Sequence, residues 1–388
     1  MYITVLCRVV DNYGDIGVVW RLCKRLKVIR NDVELSLVVD NLYSFQKICK
    51  SVDVSKEFQC IQDIKVYDWN AFAFCHEAFS CADGERMSFI LECFQCGRPE
   101  WMEQILFEEK LQRTVHIIML DYLTAEKYAE DFHCLDSLTR SARVTKVNFM
   151  PGFTEHTGGL VIDEAWRNLP ERLSETTGLI KPAKSPESTT PAEPASRPIL
   201  VFTYERNWKP LAQALFHNYK AKGSRVLAAQ GRGKQSFIQA FDSTMRECLE
   251  ELDFLDQTEW DEMMKGCSAL VIRGEESMSR ACLSGIPFIW QAYPQSEEYQ
   301  TVKVKALLER MKRHFVPEAF KIVRRVWLCF NQNENDVTPF EMQTACEEFF
   351  DNLEELVPGF YAFALDLRKN GDLAANLMTF IEKKYIIS

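Results

Sequence analysis

No apolar run in this chain reaches the roughly 18 residues that a bilayer-spanning helix requires. No secretory leader is expected either, because the N-terminus runs straight into a strand-like segment, Tyr2 to Cys7. Positive charge is in deficit: the formal net charge is −10 over 388 residues. An acidic chain of this kind grips nucleic-acid phosphates poorly and suits a neutral or basic partner. The six histidines (His76, His116, His133, His156, His217 and His314) are scattered without an HxxxH pair, which gives no support to a histidine triad or metal centre. Cys93-Phe94-Gln95-Cys96 is one CxxC without the second pair that a zinc site needs. The full GxGxxG is missing as well, with only Gly14-x-x-Gly17 in its place, so a nicotinamide oxidoreductase is disfavoured. Carboxylates are left as the obvious acid–base groups.

What is present reads as an α/β protein. With 47% hydrophobic residues the chain is too long for one ordinary core, and two domains are expected. Its 14 cysteines sit singly in apolar contexts, as reduced thiols acting as small hydrophobes do, and a cytoplasmic location follows as an expectation. Strand-like runs (Glu34 to Val39, Ser88 to Leu91, Val115 to Leu120) alternate with helix-like ones such as Tyr43 to Lys50. That rhythm predicts a parallel sheet with helices on both faces. Residues 1–180 form the expected first domain. Lys181 to Pro198, rich in Pro, Ser and Thr, reads as a linker or loop. The rhythm restarts in a second domain, 199–365, with strands expected at Ile199 to Thr203, Arg225 to Ala229, Ala269 to Ile272 and Pro287 to Trp290. Lys234 to Leu249 reads as wholly or partly helical, and Ser277 to Ser284 as a short helix stopped by Gly285. The remainder is helical, and the last helix, within 366–388, is expected to pack back on the first domain.

Two turns stand out. Asp11-Asn12-Tyr13-Gly14-Asp15-Ile16-Gly17 follows the first strand and leads into a helix. Arg273-Gly274-Glu275-Glu276-Ser277 follows an apolar run in the second half and also leads into a helix. In open α/β sheets, ligands bind at the carboxyl ends of strands in such turns. Asp15 could instead cap its helix and Asp11 stabilise the turn. Arg273 can pair bidentately with a phosphate beside a helix N-terminus, or form an internal ion pair with a neighbouring Glu. Tyr204 stands at the end of the strand that opens the second half. Phe254 and Gln257 could frame a nucleobase by stacking and hydrogen bonding, with core packing as the alternative for the Phe.

Several segments, in order, resemble one family. They are Cys7 to Leu22 (CRVVDNYGDIGVVWRL), Phe149 to Leu160 (FMPGFTEHTGGL), Phe202 to Glu205 (FTYE), Phe254 to Gln257 (FLDQ), Arg273 to Ser277 (RGEES) and Tyr293 to Gln295 (YPQ). Their order is similar to that of the elongation factor P arginine rhamnosyltransferases, the EarP family, and the resemblance spans nearly the whole chain. It implies a GT-B fold: two opposed Rossmann-like domains with a cleft between them. It also implies transfer of L-rhamnose, with inversion, from dTDP-β-L-rhamnose to one arginine of elongation factor P, activating that factor for polyproline-stalled ribosomes. No metal or other cofactor, nucleic acid or membrane is implied.

Carried over by the resemblance, Asp11, Asp15 and Glu275 would be the catalytic carboxylates, with Asp15 the better base. Phe254 and Gln257 would meet the thymine. Tyr204, Arg273, Glu276 and Ser277 would hold the ribose and diphosphate. Asn12, Tyr13, Gly14 and Gly17 would complete the substrate-binding turn. Two positions depart from the expected pattern: Glu276 replaces an Asp and Gln291 a His. The alternatives are another GT-B transferase with a different nucleotide sugar or acceptor, and a non-catalytic binder. A binder has no need of three such carboxylates.

Overall fold

The computed structural model describes residues 1–10, 13–80, 87–108, 111, 113–169 and 196–387. The expected linker at 181–198 therefore lies outside the described residues, save for its last three. The chain divides into two compact units: Met1–Asp163 with Leu367–Ser388, and Glu164–Asp366.

The first unit holds strands β1 (Tyr2–Cys7), β2 (Glu34–Val39), β3 (Phe58–Ile61), β4 (Ile64–Asp68), β5 (Phe89–Cys93), β6 (Val115–Leu120), β7 (Asp136–Ser137) and β8 (Val144–Phe149). Their order in the sheet is β3-β4-β2-β1-β5-β6-β8-β7. All neighbours run parallel except the two edge strands, β3 on β4 and β7 on β8. β1 is buried on both faces. Ile3, Val5 and Cys7 join one core with the helix Gly14–Ile29, while Leu6 joins the other, over the helices Phe72–Ser80 and Glu100–Phe107. An apolar run with no polar alternation is what a central parallel strand needs.

The C-terminal helix Leu373–Ile381 completes the first of those cores with Leu373, Ala374, Leu377, Met378 and Ile381. Asp372 fastens its start. One carboxylate oxygen accepts from Ile162 N and the other from Arg25 Nε at 2.7 Å. Asn376 Nδ2 donates to the Gly158 carbonyl at 3.0 Å, and Leu373 N to Leu160 O at 2.8 Å. The segment from Phe149 to Leu160 is therefore the bed on which this helix lies.

The second unit is a five-stranded parallel sheet: β9 (Ile199–Val201), β10 (Val226–Ala228), β11 (Leu249–Glu251), β12 (Ala269–Arg273) and β13 (Phe288–Gln291), in the order β11-β10-β9-β12-β13. The stretch Lys234 to Leu249 is more broken than its pattern suggests. It holds a helix Lys234–Gln239, a 3-10 turn Met245–Cys248, and Leu249 as the first residue of β11. The helix expected from Ser277 begins two residues earlier, at Glu275. Gly274 (φ 71°, ψ 179°) turns the chain directly out of β12 and into it. Among the described residues no helix is long and apolar enough to cross a membrane.

Candidate active site

Among the parallel strands of each unit the strand order reverses direction once. In the first sheet the chain steps from β1 outward through β2 and β4, then returns to β5 on the other side of β1. In the second it steps from β9 through β10 to β11, then returns to β12 beside β9. The crevice at such a reversal, outside the carboxyl ends of the strands, is where open α/β sheets bind ligands. The two turns singled out in the sequence open from β1 and β12, one at each reversal.

At the first, two successive backbone N–H groups are held by carboxylates. Val9 donates to Asp40 Oδ1 at 2.8 Å and Val10 to Asp15 Oδ2 at 2.7 Å. Asp15 is 3% exposed and lies in the first turn of Gly14–Ile29, where the helix dipole favours an anion. It does not occupy the cap position, which belongs to Tyr13 and carries no side-chain cap bond. Gly17 N bonds back to Tyr13 O at 3.0 Å, so Tyr13, Gly14 and Gly17 form the opening turn of that helix. Asp15 Oδ1 lies 3.4 Å from the Tyr122 hydroxyl, just past the end of β6. Asp11 and Asn12 lie outside the described residues. Burial raises the Asp40 carboxyl above its ordinary value, and the nearby Asp15 charge adds to this. Burial also lifts the Cys7 and Cys93 thiols well above the ordinary range and pushes Cys96 up to about 12, so the CxxC is a protonated packing element.

At the second reversal β12 ends on Arg273. Its guanidinium carbon lies 4.3 Å from the Phe202 ring centroid and 4.5 Å from that of Tyr204. The side chain is 6% exposed, and its Nε has no hydrogen-bond partner among the described residues. Leaving a buried donor unsatisfied costs on the order of 1–3 kcal/mol, more for a charged group, so the position is built to receive an acceptor. The internal Arg273–Glu pair is not made. Glu275 Oε1 lies instead 3.3 Å from Lys303 Nζ, and Glu276 Oε2 4.0 Å from Arg280 Nε.

Glu275, Glu276 and the buried Ser277 form the first turn of Glu275–Ser284 rather than a loop before it. Tyr204 is fixed on three sides. Its N–H donates to Gln291 Oε1 at 2.8 Å, its carbonyl accepts from Trp208 Nε1 at 2.9 Å, and its ring meets Tyr293 edge-on at 5.4 Å. The Gln291 amide thus has a defined role, presenting an acceptor to the backbone of Tyr204. The loop after β10 closes against the same place. A Cβ on Gly233 would lie 2.6 Å from the Tyr204 carbonyl carbon and oxygen, and closer still to Thr203 O. Phe254 and Gln257 stand further along the sheet, after β11. Gln257 is buried and opens the helix Gln257–Gly266, which Asp256 and Glu259 close with a capping box. Trp260 of that helix meets Phe202 edge-on at 5.1 Å, linking the two groups of residues.

The family model described as elongation factor P (EF-P) rhamnosyltransferase EarP matches residues 3–382. The chain belongs to this family. A protein-arginine rhamnosyltransferase of Shewanella oneidensis is 28% identical over 98% of this chain and 97% of the relative. One from Pseudomonas aeruginosa is 28% identical over 84% and 86%. A solved structure from work on EarP-mediated arginine glycosylation of the translation elongation factor EF-P covers 98% of both chains, with a TM-score of 0.53 at 17% identity. The UDP-GlcNAc 2-epimerase of Neisseria meningitidis, solved with UDP-GlcNAc, superposes at 0.54 with 9% identity over 99% of this chain and all of that one. These likenesses show the GT-B type of α/β fold, and family membership makes the chain a glycosyltransferase. Of the EarP-like residues in this chain, Asp15 gathers with Tyr13, Gly14 and Gly17 in one unit. Tyr204 and Arg273 are in contact in the other, with Glu275, Glu276 and Ser277 following in the next turn. Residues that the sequence did not bring forward are Asp40, Tyr122, Lys303 and Gly233. Asp40 and Tyr122 had a usable signal, since one follows the end of β2 directly and the other lies two residues past the end of β6.

Proposed function

We propose that this protein transfers L-rhamnose from dTDP-β-L-rhamnose to a guanidinium nitrogen of one arginine of elongation factor P, inverting the anomeric carbon. The observation that carries this reading is Arg273, a buried cation with an open Nε, held between two rings at a strand-order reversal. An anionic diphosphate satisfies that nitrogen, and Ser277 with the first-turn amides of Glu275–Ser284 adds donors beside it. Phe254 and Gln257 meet the thymine, Tyr204 and Glu276 the ribose and diphosphate.

On the acceptor side, Asp15 is the base, with Asp11 beside it in sequence; Glu275, in the second unit, is the third catalytic carboxylate. The guanidinium nitrogen attacks the anomeric carbon, the bond from that carbon to the diphosphate oxygen breaks, and dTDP leaves with the electron pair. The proton lost from the guanidinium goes to Asp15. Free arginine holds its proton to about pH 12 or above, so the proton moves late, as the new C–N bond forms. A base on the face opposite the leaving group is what inversion requires. Arg273 neutralises the departing diphosphate without a metal. An acidic acceptor side also suits the cationic side chain it receives. Activation of the factor for polyproline-stalled ribosomes, and a cytoplasmic location, belong to the same reading.

Intact-protein mass spectrometry of elongation factor P after incubation with this protein and dTDP-L-rhamnose, with EDTA present, tests it. One added deoxyhexose on a single arginine is expected, with no product from UDP- or GDP-sugars. Product only with another nucleotide sugar would reassign the donor. dTDP binding without modification of the factor would reassign the acceptor.

A further inference from the structure

Asp15 has its two carboxylate oxygens in different hands. Oδ2 takes the Val10 N–H, while Oδ1 faces the Tyr122 hydroxyl at 3.4 Å. We propose that Tyr122 is a positioning residue for the base: its hydroxyl aims Asp15 Oδ1 and steadies the ionised carboxylate. This rests on the reading of Asp15 as base.

The support around Tyr122 is what distinguishes it from a chance neighbour. Phe94 stacks on its ring, with centroids 4.6 Å apart and planes 18° from parallel. Phe94 and Gln95 reach that position through two consecutive left-handed backbone conformations, φ 58° and 53°. Non-glycine residues adopt these rarely, and such strain persists where the surroundings impose it. The surroundings do so here. Phe94 N bonds to Leu120 O at 2.7 Å, Gln95 Nε2 to Asp121 Oδ2 at 3.2 Å, and Tyr122 N to Asp121 Oδ1 at 2.8 Å. The turn after β5 and the turn after β6 are thereby locked to each other, and the product of the lock is a phenol held over Asp15. A 3.4 Å contact is long for a hydroxyl–carboxylate bond. Catalytic hydrogen bonds are often long before substrate is bound and tighten in the complex.

Titratable groups that feel the Asp15 charge include Asp40, after β2, and the thiols of Cys7 and Cys93. Arg8 reaches Asp40, at 4.0 Å. None of the three offers the ionised carboxylate a firm donor: Asp40 is an acceptor and the thiols are weak. A hydrogen bond to the charged form favours that form, so deleting the hydroxyl makes Asp15 easier to protonate.

The test compares initial rates of elongation factor P rhamnosylation across pH for the unaltered protein, Tyr122→Phe, Phe94→Leu and Asp15→Asn. Folding of each is checked by circular dichroism. Tyr122→Phe keeps the ring and its stack. It is expected to lower kcat roughly five-fold near neutral pH, to leave both KM values unchanged, and to move the acid limb of kcat/KM to higher pH. Phe94→Leu keeps the hydroxyl but loosens the ring, and a smaller fall in kcat in the same direction supports the proposal. An unmoved acid limb and unaltered kcat in Tyr122→Phe, with Asp15→Asn inactive, overturns the role of Tyr122 while leaving the base in place. Full turnover by Asp15→Asn removes the base itself, and the proposal with it.

Discussion

The two strand-order reversals share a topology and differ in charge. At the end of β1, burial and then the nearby Asp15 charge raise the Asp40 carboxyl, and the hydroxyl of Tyr122 is aimed at Asp15. At the end of β12, a buried guanidinium packs against the rings of Phe202 and Tyr204, and the carboxylates that follow it in sequence, Glu275 and Glu276, meet Lys303 and Arg280. On the proposed reading, the same fold element serves a cation in one unit and an anion in the other. What separates them is the side chain at the strand end, not the backbone path.

The sharpest way to break this contrast is a crossed pair of variants. Asp15→Asn is expected to cut turnover about 10³-fold, within the range for loss of a general base, while dTDP affinity measured by calorimetry stays as it was. Arg273→Ala is expected to weaken dTDP about 30-fold, the equivalent of about 2 kcal/mol for a charge-assisted hydrogen bond. If each variant impaired both quantities alike, the division of labour would be wrong. Next in size is Gly233→Ala. Its methyl group would collide with backbone at Thr203 and Tyr204, which cannot rotate aside. A loss of about 1–3 kcal/mol is expected in urea unfolding, together with weaker dTDP binding.

The smallest effect is expected from Asp40→Asn. Burial raises the Asp40 carboxyl, so the folded protein binds its proton more tightly than the unfolded chain does. Stability therefore falls as pH rises from the ordinary aspartate value through the raised one, and stays lower above it. The Asn variant still accepts from Val9 N and carries no charge to bury. Its Tm should exceed that of the unaltered protein at neutral pH, and the gain should disappear in acid. A constant gain at all pH values would point to packing instead of charge.

Much of this architecture is legible along the chain, and the places where it is not have physical reasons. The runs at Tyr2–Cys7, Glu34–Val39 and Val115–Leu120 announce buried parallel strands because they are dominated by β-branched and other apolar residues, with only the small Thr4 and Ser36 among the buried polar ones of the first two. The hairpin β3–β4 does not announce itself. Its outer strand carries Gln59 and Cys60 on an edge, and its turn uses Gln62 and Asp63 at positive φ where Asn-Gly would have been the recognisable signal. The helix from Glu275 starts early because Gly274 takes a conformation that no composition rule reveals. The two strand–turn–helix motifs identified the reversals, since ligand sites follow strand ends. The partners inside each site did not show. Tyr122 meets Asp15 across 107 positions of sequence, because β6 lies beside β5 and β5 beside β1. Arg273 finds its rings through the adjacency of β12 and β9. Such contacts are set by strand order, which a linear pattern does not contain.

The helix Leu373–Ile381 closes the core behind β1, yet it is made roughly two hundred residues after the rest of that unit. On a ribosome adding about 5–20 residues per second, the N-terminal sheet waits on the order of 10–40 s for its last wall. During that time the apolar face that will meet Leu377 and Ile381 has no permanent cover. The intervening unit is contiguous and can fold first. The unit that opens the sequence is thus the one finished last, and a chain cut short anywhere between Asp163 and Leu373 is left with a sheet that lacks its closing helix.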